Sequence, residues 1–133
     1  MSSVLVDTHI LVWWRTEPER LSRVQAQVLT ELERRGRPLL MSAVTLRELA
    51  KLGERNRLQL GIPWDLWLEE MEASPLLGIL PLTARIAAES VRLGADFPKD
   101  PFDRIIVATA RCHGLRLMTA DAQIRRWGKV PLI

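Results

Sequence analysis

Short apolar runs alternate along these 133 residues with longer amphipathic ones, and that alternation restricts the folds open to them. Val4–Val6, Pro38–Met41, Leu77–Leu82 and Leu115–Met118 are each long enough for a buried strand but too short for a core helix. Between them lie stretches with helical spacing and recognisable ends. Ser22 opens a run carrying Val24, Val28, Leu29 and Leu32 that stops at Gly36, and Ser42 opens "AVTLRELAKLG", closed by Gly53. Pro63 begins a run through Ala73, Thr83 caps "ARIAAESVRLG" up to Gly94, and Asp100-Pro101 starts another that ends near Gly114. Strands that alternate with helices predict an α/β domain of three layers around a mainly parallel sheet. Val130–Ile133 is a candidate fifth strand at the edge, so the expected sheet has four or five strands. No repeat, linker or low-complexity stretch divides the 133 residues, and 1–133 reads as a single domain.

Composition narrows the function classes. A hydrophobic share of 47% and a charged share of 26% suit a folded soluble domain rather than a disordered chain. No apolar run approaches the ~20 residues that span a bilayer, and the first residues lack the pattern of a secretory signal. The lone Cys112 excludes an internal disulfide and suits a reducing cytosol, so a cytoplasmic protein is expected. Two distant histidines with one cysteine make no closed zinc site. A net charge of +3 is compatible with a polyanionic partner without requiring one.

Against this background four acids stand out. Asp7 interrupts "VLVDTHILVWW" where a buried strand runs into a helix, and Asp121 ends "LRLMTAD" in the same apolar-Thr-acid arrangement. In a parallel sheet both strands finish on one side, where α/β proteins bind their ligands. Taken singly, an Asp after a strand is usually a helix cap or a turn residue. Glu48 falls at the border of the apolar stripe in "SAVTLREL", where a surface ion pair is the ordinary alternative. In "KDPFDRIIVATA", Asp100 is the expected N-cap, and Asp103 shares a helix face with Ile106, Val107 and Ala110. A third-position acid can simply serve the capping box and the helix dipole. Four carboxylates converging from four segments would raise one another's pKa values unless a cation neutralised them. Mg²⁺ or Mn²⁺ suits oxygen ligands, and such an ion near a phosphodiester activates water and stabilises developing charge.

These four stretches, in this order and spacing, resemble the PIN-domain ribonucleases, specifically the VapC toxins of bacterial toxin–antitoxin pairs. The resemblance spans essentially the whole chain. It implies a PIN-like α/β fold and an Mg²⁺/Mn²⁺ site formed by Asp7, Glu48, Asp103 and Asp121, with hydroxyl support from Thr8 and Thr119. It also implies RNA as substrate, a homodimer, and a small VapB-like antitoxin that blocks the groove. Arg104, Arg125 and Arg126 are candidate RNA contacts, and Trp127 beside them is the tryptophan best placed for one. Trp13, Trp14, Trp64 and Trp67 read mainly as core or partner contacts, and His9 as structural.

Two enzyme classes on similar folds are disfavoured. A phosphorylated receiver needs an acceptor Asp at the end of the third strand, where this chain has Pro81-Leu82-Thr83. A phosphatase with an Asp-x-Asp pair after the first strand would need an acid at position 9, which is His. The alternative that stays open is a catalytically silent PIN-like module binding protein or RNA.

Overall fold

A computed structural model describes residues 3–133, so the first two residues of the expected 1–133 domain lie outside it. Four parallel strands, β1 (Val4–Val6), β2 (Leu39–Ser42), β3 (Leu77–Leu80) and β4 (Arg116–Met118), form one sheet in the order β3-β2-β1-β4. The seven α-helices among the described residues are α1 (Thr8–Thr16), α2 (Arg23–Arg34), α3 (Ala43–Glu54), α4 (Trp64–Ala73), α5 (Ala84–Arg92), α6 (Pro101–His113) and α7 (Ala122–Trp127). None of them is long and apolar enough to cross a membrane.

The three layers follow from the two-residue period of the strands. Val4 and Val6 of β1 face one side, where α1, α2, α3 and α4 cover them through Leu11, Leu29, Leu49 and Met71. Leu5 faces the other side and meets Ile106, Val107 and Ala110 of α6 and Ile124 of α7. In β4, Met118 joins the first core and Leu117 the second. Both faces of the central strands are therefore dry, which is why they read as unbroken apolar runs.

Most helix ends sit where their chemistry places them. Ser22 and Gln25 form a full capping box on α2, Thr83 caps α5, and Gly114 takes the left-handed conformation that ends α6 (φ 64°). Three details depart from the sequence expectation. The candidate fifth strand reduces to a single parallel bridge, Leu117 to Leu132, because Pro131 can offer the ladder only its carbonyl, which accepts from Leu117 N at 2.8 Å. The inner face of α2 takes Gln25 rather than Val24, which is 59% exposed. The Gln25 amide is instead satisfied by the carbonyls of Thr119 and Ile133. Finally, α7 is a short helix that no apolar periodicity announces, started by Asp121 and ended by left-handed Gly128.

Gly53 fixes how α3 and α4 approach. A Cβ at this position would lie 2.6 Å from both Cβ and Cγ of Trp64, the stem of that side chain rather than a movable tip. Alanine is the better helix former by about 1 kcal/mol, yet overpacking of this kind costs about 1–3 kcal/mol. Gly53→Ala is expected to lower the melting temperature, and a variant melting above the wild type would show that α4 is free to move aside.

Candidate active site

The carboxyl ends of β1, β2 and β4, with the first turn of α6, enclose a cleft of about 330 Å³. Asp7, Glu48, Asp103 and Asp121 all line it, and so does Asp100. The positions come from four separate elements, as the strand-end argument requires. Asp7 follows β1, and its N–H continues the sheet by donating to Met118 O at 3.0 Å. Glu48 projects from the second turn of α3, Asp103 from the first turn of α6, and Asp121 from the link between β4 and α7.

Four of the five acids, Asp7, Glu48, Asp100 and Asp121, are held by short hydrogen bonds. Asp7, only 4% exposed, accepts from Thr8 N at 2.9 Å through Oδ1 and from the Thr119 hydroxyl at 2.8 Å through Oδ2. The Thr119 oxygen in turn accepts from Asp121 N at 3.0 Å, so one buried hydroxyl ties the two strand-end acids together. The Thr8 hydroxyl donates to Glu48 Oε1 at 2.6 Å and lies 3.0 Å from the hydroxyl of Thr45. Helix capping and clustering coexist here. Asp7 caps α1, and Asp121 Oδ1 caps α7 by accepting from Gln123 N and Ile124 N. Asp100 Oδ1 caps α6 by accepting from Phe102 N and Asp103 N. Asp103 makes no return bond to its cap, so its carboxyl faces the cleft half-buried and without a hydrogen-bonded partner among the described residues.

That placement has an electrostatic signature. Burial pushes the Asp103 carboxyl up to about 7, and the charges of Asp7, Asp100, Glu48 and Asp121 add to the shift. Glu48 is raised as well, first by burial and then by Asp7 and Asp100, against the opposing bond from Thr8. Among the described residues no lysine or arginine forms an ion pair with Glu48 or Asp103. Among the described residues no three acidic or imidazole groups stand close enough to make a ready cation cage. The donor set is nonetheless all oxygen, faces one cavity and has no described lysine or arginine ion-paired with it, which suits a hard divalent cation in donor type and sign.

His9 serves the frame of the cleft. Its Nε2 accepts from Ala120 N at 2.8 Å, which leaves the proton on Nδ1, 3.7 Å from Asp7 Oδ2, and the ring packs on Trp13. Two of the three arginines expected to meet RNA are already engaged. Arg104 donates to four backbone carbonyls, those of Ser90, Gly94, Phe97 and Pro98, and so pins the loop that leads into Asp100. Arg125 donates to the carbonyls of Thr119 and Ile133. Arg126 is exposed in a separate cleft beside Lys99 and Gln123. Trp127 is partly buried edge-on against Phe97 rather than free to stack.

Sequence reasoning missed Thr45, Gln25, Lys51 and Arg55. Thr45 is signalled by its spacing, one turn before Glu48 on the same helix face. Lys51, in the last turn of α3, and Arg55, which caps it, also line the cleft. Gln25 has no local signal beyond its capping box, because its carbonyl partners are more than ninety residues away.

Residues 4–130 match the PIN domain family model. The chain belongs to the PIN-domain family. Ribonuclease VapC22 of Mycobacterium tuberculosis is 41% identical over 126 residues, covering 94% of this chain and 92% of that protein, which places this PIN domain in the VapC group. FitAcB from Neisseria gonorrhoeae superposes with a TM-score of 0.64 at 25% identity, covering 98% of this chain and 96% of that one. The DNA-bound VapBC structure from Salmonella typhimurium gives 0.72 at 20% identity over 100% and 98% of the two chains, a likeness of fold.

The raised Asp103 carboxyl sets a pH dependence for the metal-free PIN domain. Its folded value of about 7 lies above the ordinary 3.8, so the folded state binds this proton more tightly than the unfolded chain. The stability it contributes is full below about pH 4 and is lost as pH rises through about 7. Asp103→Asn removes this dependence. With a chelator present, the variant is expected to melt above the wild type at pH 8 and level with it near pH 4. A variant that melts lower at pH 8 would mean Asp103 makes a stabilising contact as a carboxylate.

Proposed function

We propose that this chain is a metal-dependent endoribonuclease, the toxin of a toxin–antitoxin pair, in which Asp7, Glu48, Asp103 and Asp121 hold Mg²⁺ or Mn²⁺. The observation that carries this reading is the gathering of four acids from four elements into one cleft, with no described lysine or arginine ion-paired to any of them. Membership of the VapC group and 41% identity to a protein named a ribonuclease support RNA as the substrate. Bound there, the ion would supply Lewis acidity and an activated water for phosphodiester hydrolysis. The chain's own contribution is placement: Thr119 holds Asp7 and Asp121 in register, and Thr8 holds Glu48. Thr119 is fully buried and Thr8 nearly so, so neither hydroxyl exchanges its carboxylate partner for bulk water.

The whole chain, 1–133, acts as one nuclease domain in this reading, as a homodimer in the cytoplasm with free Cys112 reduced. A small VapB-like antitoxin neutralises it by covering the cleft.

Purified without partner, the chain is expected to cut RNA with Mg²⁺ or Mn²⁺, to stop with chelator, and to recover when metal is restored. Asp103→Asn and Asp7→Asn should each lower the rate by about 100-fold or more, the scale of a lost metal ligand. Cleavage that survives chelation, or that both variants retain, would sink the metal-site reading. RNA bound but never cut would favour the silent binding module.

A further inference from the structure

Three of the arginines near the ends of the sheet spend their donors inside the chain. Arg104 and Arg125 bind backbone carbonyls, and Arg111 pairs with Glu89 and binds Lys129 O. Lys51 and Arg55 do not. Both are exposed and line the acidic cleft, and neither side chain has a hydrogen bond or ion pair with another described residue. Lys51 stands in the last turn of α3 and Arg55 is the residue that caps it, four positions on, a spacing at which like charges repel. Glu48 lies one turn before Lys51, so α3 and its cap present an acid at the base of the cleft and two cations along its wall. Neither Lys51 nor Arg55 is ion-paired with Glu48, Asp103 or any other described acid, although all of them line one cleft. Two unpaired cations held at a repulsive spacing, beside acids with which they form no ion pair, call for an anion from outside the chain.

We infer that Lys51 and Arg55 form a phosphate-binding wall that holds the RNA backbone on the α3 side of the scissile linkage. The inference rests on the nuclease reading of the cleft and names the residues that position its substrate. The acids repel a polyanion, so attraction must come from groups set apart from them, and this pair is the one the cleft offers. Leu52 and Phe102, which also line the cleft, supply an apolar surface against which a base can rest. Arg104 and Arg125 cannot take this role without releasing the loop and the segment they hold.

The test uses the full chain, a Lys51→Gln/Arg55→Gln double variant, and an Arg23→Gln/Arg92→Gln control on exposed positions of α2 and α5 outside the cleft. Binding of a short fluorescein-labelled RNA is read by anisotropy in chelator across a range of salt, and cleavage is read with Mn²⁺. The double variant is expected to lose about 1.4 from the salt slope, about 0.7 for each of two phosphates on a single strand. Its KM should rise roughly 10-fold with kcat little changed, and its melting temperature should not fall, because a repulsive pair has been removed. The control should match the wild type in slope and KM. Wild type that binds RNA through the wall but does not cut it leaves the wall standing and removes the nuclease reading. Wild type that cuts RNA, with a double variant of unchanged KM and slope, removes the wall and keeps the nuclease. A double variant that keeps RNA affinity but loses affinity for an acidic peptide would also overturn the inference, making the wall a protein-docking surface.

Discussion

The arrangement of the cleft depends on one buried hydroxyl. Thr119 Oγ1 donates to Asp7 and accepts from the backbone N–H of Asp121, and so joins the ends of β1 and β4 through side chains as well as through the sheet. Burying a carboxylate such as Asp7 is costly unless its oxygens are satisfied, and here both are, one by Thr119 and one by Thr8 N. With Asp7 fixed, the neighbouring Thr8 is directed at Glu48, and the acids of two more helices face the same space. The parallel sheet makes this possible because adjacent strands finish on one side, and its dry faces lock the strand ends in place.

Much of the remaining polar chemistry serves the cleft from a distance. Arg104 gathers the carbonyls of 90–98 and so sets the approach to Asp100 and Asp103. Gln25 and Arg125 both bind Thr119 O and Ile133 O, which secures the segment after β4. The guanidinium groups of Arg104 and Arg125 are restrained by several short bonds to backbone carbonyls, an arrangement that resists being pulled toward a ligand. Lys51 and Arg55, which line the cleft, carry no such restraint.

The sequence made the layered fold legible because its strands are short, apolar and separated by helices with clear caps. The acids were legible for a related reason: a carboxylate at a strand end or on an apolar helix face stands out against its neighbours. Asp103 is the clearest example, since its face also carries Ile106, Val107 and Ala110. What escaped depends on partners remote in the chain. Gln25 takes the inner position that helical spacing predicts for Val24, because its carbonyl acceptors lie beyond residue 118. Local sequence marks Arg104 as a candidate substrate contact, because nothing near it in the chain signals the four carbonyls that take its donors. The edge segment 130–133 was short of a strand because proline denies it one donor.

A divalent cation bound in the cleft would relieve the mutual repulsion among Asp7, Glu48, Asp103 and Asp121. Titration of Mn²⁺ into the metal-free protein, followed by the resonance signal of free aqueous Mn²⁺, tests this without reference to catalysis. Saturable loss of that signal in the wild type, strongly weakened in Asp103→Asn and competed by Mg²⁺, is the predicted result. Mn²⁺ binding that is absent from the wild type, or undiminished in Asp103→Asn, would contradict it.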